Sequence, residues 1–333
     1  MKKIAFCMAL LLCLIPFATG CNRKKETTQS FFFMDTVITV TLYTNDTKLS
    51  KEIFSECEDI LSESEGLWSR HREGSVVSSF NLAKTDSLTL DSKTAALLAR
   101  ALEVSQKTNG AFDITLAPLS DLWKTCGERD SLPSEEELSS VLKACGYEKL
   151  SLRQDQLSKN DPAVQIDLGG IGKGAVIDEL MSYLNTCDVT GGLVSFGSNV
   201  AVFGEKPDGE PFRIALRDPK DETKSVGTLL LPAGKILSVS GDYERFVTVE
   251  GERYHHILNA QTGYPTASGL SSVAVICEDG ALADALSTAL LCMGRESAMA
   301  FYESGVYEFE AVLISSEGEI TTTKGLDGIF VKN

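Results

Sequence analysis

Short β-rich segments occur in clusters along this chain, and only a few long helical patterns separate them. After residue 165 the segments GTLLLP, ILSVS, RFVTVEG, SSVAVICEDG and FEAVLISSEG all have the composition of strands. A parallel α/β fold needs a helix between most successive strands, and the chain lacks that regular alternation. The sequence therefore predicts an α+β fold with largely antiparallel sheets and several long helices.

The remaining patterns divide the chain into further elements. Residues 35–43 are β-rich, residues 53–68 have helical spacing, and residues 71–81 have the composition of a loop. A second helix is predicted over 92–110 and a polar, acidic helical insert over 131–145, whereas 164–185 reads as a strand, a glycine-rich turn and a helix. No internal repeat or linker divides residues 31–333, so we expect one compact domain there, or two lobes with the active site between them.

The first twenty residues have the features of a bacterial secretory signal peptide. A basic start (MKK) precedes an apolar run that is too short to span a bilayer, and small residues lead to Cys21. This pattern favours a lipoprotein in which Cys21 carries the lipid and residues 21–30 form a polar tether. The alternative is an ordinary secretory signal with a chance cysteine. We expect a bacterial cell membrane lipoprotein whose folded part lies on the periplasmic or extracytoplasmic side.

Charge and cysteine usage exclude some functions. The formal net charge of −16 does not favour nucleic acid as a partner. The six cysteines after Cys21 are widely spaced and form no CxxC motif, so we interpret them as free thiols. A bridge between Cys126 and Cys145 stays open as the alternative.

The segment DLGGIGKG (residues 167–174) is a glycine-rich turn before a predicted helix. Such a turn lets a ligand approach the backbone, and the helix N-terminus attracts anions, to which Lys173 adds a positive charge. The segment nevertheless fails both the phosphate-loop pattern and GxGxxG. A simple packing turn is therefore about as well supported.

The helix containing ADALSTALLCMG places an acid and a hydroxyl on one face. Asp284 and Thr288 are four residues apart, and the leucines of this helix lie on another face. A carboxylate and a hydroxyl are oxygen ligands of the kind that Mg²⁺ prefers. The alternative is a plain solvated face.

Two of the three histidines, His255 and His256, are adjacent. Neighbouring side chains of a strand point to opposite faces, so the pair is not expected to chelate one metal, and no third zinc ligand lies at a familiar spacing. One histidine can face a site as a general base while the other packs. The alternative is a structural pair at a sheet edge. Because the chain lacks GxSxG around its serines, a serine hydrolase is poorly supported.

Taken together and in order, the motifs resemble one family. They are MDT, GSVVSSFN, NGAFDITLAPL, IDLGGIGKGAVID, SVSGDYERF, YHHILNAQTGYP and ADALSTALLCMG, which span Met34 to Gly294. This order is similar to that of the ApbE family of FAD:protein FMN transferases, which are often membrane-anchored lipoproteins. The resemblance implies a single ApbE-like, T-fold-like unit.

The resemblance also implies a reaction and roles for residues. Family members bind FAD and Mg²⁺ and transfer FMN to a threonine hydroxyl of a partner protein, releasing AMP. His256 matches the catalytic position, and Gly170, Asp284 and Thr288 match the metal ligands. Positions that line the FAD pocket are matched by Met34, His71, Ala111, Phe112, Asp113, Asp167, Lys173 and Ile257.

Some positions depart from the family pattern. His71 stands where a tyrosine is common, and Asn259 and Ala260 replace a common Asp-Pro pair. These differences concern flavin packing and turn geometry. The implied acceptors are exported subunits of sodium-pumping NADH:quinone reductase, subunits of Rnf-type complexes, or other periplasmic flavoproteins.

Other functions remain compatible with the same motifs. A Mg²⁺-dependent FAD pyrophosphatase would use water as the acceptor and release FMN and AMP. A lipoprotein that carries FAD without turnover is a second alternative. A redox flavoenzyme is less well supported, because no dinucleotide-binding fingerprint is present.

Overall fold

The computed structural model describes residues 25–83 and 87–333. The predicted signal peptide, Cys21 and the first residues of the predicted tether lie outside the described residues. Every strand pairing within this part of the chain is antiparallel. The predicted α+β class with largely antiparallel sheets is confirmed.

The elements follow one another without βαβ alternation. The helices are α1 (Thr47–Trp68), α2 (Val76–Leu82), α3 (Ser92–Lys107), α4 (Ala117–Arg129), α5 (Glu135–Leu142), α6 (Gly172–Leu184), α7 (Gly280–Met293) and α8 (Arg295–Glu303). The strands are β1 (Glu26–Phe33), β2 (Thr36–Tyr43), β3 (Ser87–Thr89), β4 (Leu150–Arg153), β5 (Gln156–Lys159), β6 (Gly191–Phe196), β7 (Asn199–Gly204), β8 (Phe212–Asp218), β9 (Asp221–Leu231), β10 (Ile236–Gly241), β11 (Phe246–Val249), β12 (Glu252–His255), β13 (Leu270–Cys277), β14 (Glu310–Ser315), β15 (Ile320–Thr322) and β16 (Phe330–Lys332).

A central sheet organises the described residues, with strand order β1-β2-β6-β7-β10-β13-β14-β15. One face packs under the helices: Ile38, Val40 and Leu42 of β2 join the large core that also contains residues of α1, α3, α6 and α7. The other face packs in part against a small sheet in the order β16-β9-β8, which forms a second core. Burial of each large apolar side chain contributes about 1.5–3 kcal/mol, so the sheet is held from both sides.

The folded region begins earlier than the sequence predicts. Residues 26–30 were expected in the polar tether, yet β1 pairs with β2 from Glu26 onwards. The hydroxyl groups of Thr28 and Thr41 lie 3.0 Å apart across this pair. Because one face of this edge hairpin is solvated, its polar residues are compatible with a strand.

Two local predictions are wrong. The segment 71–81, predicted as a loop, contains α2, which Ser75 caps by accepting a hydrogen bond from Ser78 N at 2.9 Å. The predicted strand before the glycine-rich turn is absent, because the backbone N–H and C=O of Ile166 hydrogen-bond to a side chain and not to a neighbouring strand. The Asn81 amide donates to Ile166 O at 2.8 Å and accepts from Ile166 N at 2.7 Å.

Other expectations agree with the structure. The helix predicted over 92–110 is α3, and Asn109 and Gly110 follow it with positive φ angles of 52° and 77°. The acidic insert contains α5. The six cysteines after Cys21 are all free, so the Cys126–Cys145 bridge is not formed. No helix in residues 25–83 or 87–333 has the length and apolarity that a membrane span requires.

Helices α6 and α7 are in close contact at two glycines, and this contact positions the functional site. A Cβ on Gly174 would lie 1.9 Å from Gly280 O, and a Cβ on Gly280 would lie 2.5 Å from Gly174 O. Asp178 of α6 accepts hydrogen bonds from Gly280 N at 2.7 Å and Ala281 N at 2.9 Å, which caps α7. The glycine-rich segment is thus also a packing turn.

We expect Gly174→Ala to destabilise the fold by roughly 1–3 kcal/mol, the usual cost of overpacking. The new methyl group would meet backbone atoms, which cannot rotate away as a side chain can. Chemical denaturation measures the loss. Gly172→Ala is the matched control, since a Cβ there would meet only Leu168 Cβ at 3.9 Å. Equal stability of the two variants would contradict the close helix contact.

Candidate active site

A cleft of about 490 Å³ lies where several loops and strand ends meet. The β1–β2 turn, the loop after α1, the glycine-rich turn, the end of β10 and the face of α7 all contribute to its walls. The structure brings the site residues implied by the resemblance to this one cleft. They are Met34, His71, Ala111, Phe112, Asp113, Asp167, Gly170, Lys173, His256, Ile257, Asp284 and Thr288.

Asp284 forms the polar floor of the cleft. It is only 3% exposed, although the sequence alone left a plain solvated face as an alternative. Its carboxylate accepts a hydrogen bond from Gly174 N at 3.1 Å and from the Ser238 hydroxyl at 3.2 Å. Burial of a carboxylate is costly unless partners compensate, so these contacts fix its orientation.

Hydroxyl groups extend the oxygen-rich surface beside Asp284. Thr288 Oγ1 lies 3.1 Å from Ser240 Oγ, and a Cβ placed on Gly170 would lie 3.8 Å from Thr288 Oγ1. Ser238 and Ser240 alternate along β10 and both face α7. Sequence reasoning missed these two serines, although their period-2 spacing in SVSG is the pattern that places them on one face.

This donor set fits a hard divalent cation. A carboxylate, a threonine hydroxyl and an adjacent main-chain segment provide only oxygen ligands, and Mg²⁺ is commonly held by one or two carboxylates plus waters and substrate phosphates. Within residues 25–83 and 87–333, no group of three or more His, Cys, Asp or Glu side chains is arranged to hold a metal ion. The cleft therefore suits a cation that takes its remaining ligands from the substrate.

Lys173 adds a positive charge at the same place. Its ammonium group lies 3.3 Å from Asp284 Oδ1 and donates to Gly169 O at 3.0 Å. Lys173 belongs to the first turn of α6, where the positive end of the helix dipole favours an anion. The glycine-rich turn thus places a cation and the N-terminus of a helix at the cleft.

His256 is held in one tautomer. Its Nδ1 lies 3.1 Å from Arg245 O, and its backbone N donates to the same carbonyl at 3.0 Å. A carbonyl only accepts, so Nδ1 carries the proton and Nε2 keeps a lone pair. This tautomer leaves Nε2 able to accept a proton from a substrate.

The surroundings of His256 keep its ring neutral. The side chain of His256 is exposed along the cleft wall, and desolvation by the protein atoms around it lowers its pKa to about 4. The positive charges of Arg245 and Lys173 lower the pKa further, whereas the hydrogen bond to the Arg245 carbonyl raises it. The imidazole is therefore unprotonated at neutral pH.

His255 has a different environment. Its Nε2 donates to Thr266 O at 3.0 Å, and its Nδ1 accepts from Ile257 N at 3.3 Å. Both nitrogens are used within the protein, and burial lowers its pKa as well. The prediction that one histidine of the pair faces a site while the other packs agrees with the structure.

The opposite wall of the cleft is largely apolar. Phe112 is 3% exposed and packs against Gly170. Met34 lies in the β1–β2 turn with φ of +50°, an uncommon value for a residue with a side chain, and its N–H donates to Glu65 at 2.8 Å. Such a wall suits a flat ring system, because aromatic and apolar side chains provide contact area without unpaired polar groups.

Two predicted carboxylates at this wall hold the local backbone. Asp113 accepts from Thr115 N at 2.8 Å and Tyr147 N at 2.9 Å, and burial raises its pKa. Asp167 accepts from Gly169 N at 2.8 Å. Both residues line the cleft, and both shape the loops around it.

Arg70 is a site residue that sequence reasoning missed. Its side chain is 11% exposed, and its Nε lies 3.2 Å from Asp167 Oδ2 and 3.2 Å from His71 Nε2. It also pairs with Asp121 and donates to Ala117 O at 3.3 Å. A single arginine in a polar loop carries no sequence signal for this role, because its partners are far away in the chain.

Comparison with known proteins agrees with this fold and cleft. The solved structure of the flavinyl transferase ApbE from Pseudomonas stutzeri superposes with a TM-score of 0.80 at 31% identity, covering 92% of this chain and 97% of that one. The FAD:protein FMN transferase of Vibrio cholerae is 30% identical over 272 residues, 81% of each chain. The protein of that name from Escherichia coli K12 is 28% identical over 312 residues, 89% of each chain.

The fold is thus that of the solved flavin transferases. A model of the ApbE family matches residues 34–313. The chain belongs to the ApbE family, and the recognition of this family from the order of its motifs is confirmed.

Proposed function

We propose that this chain catalyses the Mg²⁺-dependent transfer of FMN from FAD to a threonine hydroxyl of an acceptor protein, with release of AMP. The transferase class follows from family membership and from relatives named FAD:protein FMN transferase. One observation carries the mechanism: Asp284 and Thr288, which provide oxygen ligands, line the same cleft as His256. The Nδ1 of His256 is bonded to Arg245 O, so its Nε2 keeps a lone pair.

Asp284, Thr288 and the main chain at Gly170 would hold the Mg²⁺ ion. The ion would neutralise the diphosphate of FAD and act as a Lewis acid for the charge that develops on the departing AMP. The chain is strongly acidic overall, with a formal charge of −16, so a local cation is needed to attract a polyphosphate. Lys173 and the first turn of α6 would bind the phosphate oxygens.

His256 would act as the general base. The threonine oxygen attacks the phosphorus of the FMN half, and its proton passes to His256 Nε2. The new P–O bond joins FMN to threonine while the bond from that phosphorus to the bridging oxygen breaks, and this oxygen leaves with AMP. The hydrogen bond to Arg245 O holds the ring in the orientation that the transfer needs.

The apolar wall would receive the flavin ring. Met34, Ala111, Phe112 and Ile257 line this part of the cleft, and His71 lies at its edge. The Arg70 contacts to Asp167 and His71 would keep both side chains oriented toward FAD.

Mass spectrometry of an acceptor tests the proposal. The protein is incubated with FAD, MgCl₂ and an exported acceptor subunit of the NADH:quinone reductase or Rnf type, and we expect a mass increase of one FMN minus one water on a threonine. The same acceptor with that threonine replaced by alanine is the control. Free FMN and AMP without modified acceptor would indicate a pyrophosphatase, and intact bound FAD would indicate a non-catalytic carrier.

We also propose that the protein works as a lipoprotein at the extracytoplasmic face of a bacterial membrane, with Cys21 lipidated. The small-residue pattern before Cys21 supports this location. Exported flavin-acceptor subunits would then be accessible to the cleft.

A further inference from the structure

The Lys173 ammonium lies against the carboxylate that would hold the metal. Its Nζ is 3.3 Å from Asp284 Oδ1 and 3.4 Å from Oδ2. The Asp284 side chain is 4% exposed and that of Lys173 is 24% exposed. One buried carboxylate is therefore the shared partner of a lysine and, under the proposed function, of a divalent cation.

Two cations at this distance from one carboxylate repel each other. The repulsion is strong here because the carboxylate is buried and poorly screened by water. A Mg²⁺ ion that binds Asp284 must either accept the ammonium as a close neighbour or displace it. The cost of that displacement lowers the affinity for the ion.

The structure offers the ammonium a second place. Lys173 lies in the first turn of α6, and its flexible four-carbon stem is part of the cleft wall. Asp284 keeps the Gly174 amide and the Ser238 hydroxyl as partners when the ammonium leaves. The positive end of the α6 dipole favours an anion beside it, so the ammonium group could pair with a diphosphate bound there.

We propose that Lys173 is an exchangeable counter-ion, which pairs with Asp284 until Mg²⁺ binds and then moves to the diphosphate of FAD. This inference rests on the proposed function. Its consequence is that Lys173 opposes the binding of Mg²⁺ alone and favours the binding of FAD once Mg²⁺ is present. A lysine that served only as a phosphate ligand would not affect the first of these affinities.

Isothermal titration calorimetry with Lys173→Met tests the two effects separately. Without FAD, we expect this variant to bind Mg²⁺ about tenfold more tightly than the wild type, equal to about 1.4 kcal/mol. In saturating Mg²⁺, we expect it to bind FAD about tenfold more weakly.

Two further variants serve as controls. Lys173→Arg keeps the charge and should retain the wild-type affinity for Mg²⁺. Lys235→Met is the matched control, because Lys235 pairs with Glu278 at the surface, away from the cleft.

The other outcomes overturn the inference. Unchanged Mg²⁺ affinity in Lys173→Met would make the lysine a phosphate ligand only, and weaker Mg²⁺ binding would make it a structural support of Asp284. Lys173→Gln, checked for folding by thermal denaturation, replaces the methionine variant if that one unfolds. Failure of the wild type to bind either ligand would instead refute the proposed function.

Discussion

Replacing His256 with alanine is expected to leave FAD bound but to slow flavin transfer by about 10²–10⁴-fold, the usual contribution of a general base. The imidazole lines the cleft, and its Nδ1–H is fixed by Arg245 O, which leaves the lone pair on Nε2. Under the proposed function, binding of FAD relies mainly on other groups, which include the apolar wall and the glycine-rich turn. Flavin fluorescence measures binding, and the rate of acceptor modification measures transfer.

His255→Gln is the control for this variant. His255 sits in the same segment but bonds only within the protein, so its replacement should lower thermal stability and change transfer by a few-fold at most. If His256→Ala modified the acceptor at the wild-type rate, His256 would not be the base. Loss of FAD binding in His256→Ala would instead assign the ring to substrate binding.

The pH profile gives a second measure of the same role. Desolvation lowers the pKa of His256 to about 4, so the ring is a neutral base from neutral pH down to mildly acidic conditions. Protonation of His256 should therefore reduce transfer only as the pH approaches 4. An acidic limb centred near the ordinary histidine value of about 6.5 would contradict the environment described for this ring.

Local signals in the sequence were enough to predict α6 and α7, the helices that carry the site. The four-residue separation of Asp284 and Thr288 predicted one shared helix face, and both residues lie on α7. The glycine-rich turn before α6 was also recognisable, and a packing turn was one of its two interpretations, but the sequence does not identify the helix against which it packs. Only the three-dimensional structure shows that Gly174 meets Gly280, because that contact joins residues more than one hundred positions apart.

Residues whose importance comes from distant partners could not be predicted. Arg70 gains its role from Asp121 and Asp167, which lie on other elements. The segment before the glycine-rich turn looked like a strand because its side chains alternate, yet Asn81 satisfies the backbone of Ile166 and no neighbouring strand is needed. Sequence periodicity reports which face is apolar, whereas the partner of each backbone group depends on the fold.

The assignment of His256 within the histidine pair shows the same limit. Alternation along a strand predicts that the two rings point apart, but it does not say which one faces the site. The structure adds the carbonyls of Arg245 and Thr266, which fix each ring and its tautomer. The choice between them came from the resemblance, and it agrees with the side chain that lines the cleft.

Asp284→Asn is expected to have the second large effect, a loss of Mg²⁺ affinity of at least about 100-fold. Even outer-shell partners of metal ligands cost about 10–100-fold when removed, and a carboxylate that binds the ion directly should cost no less. The amide keeps the size of the side chain, so α7 should remain in place. Calorimetry measures Mg²⁺ binding, and acceptor modification should fall by a similar or larger factor.

The position of Lys173 sharpens this prediction, because the substitution also removes the partner of its ammonium group. In EDTA, Asp284→Asn should therefore bind FAD at least as tightly as the wild type, whereas the gain in FAD affinity that Mg²⁺ gives the wild type should be lost.

Asp279→Asn is the matched control at the start of the same helix: Asp279 caps α7 through Leu282 N and pairs with Arg100. That variant should lose some stability, up to about 1 kcal/mol if the cap weakens, and keep its Mg²⁺ affinity. Equal losses of Mg²⁺ affinity in both variants would mean that the helix had moved. Wild-type Mg²⁺ affinity in Asp284→Asn would show that this carboxylate does not bind the ion.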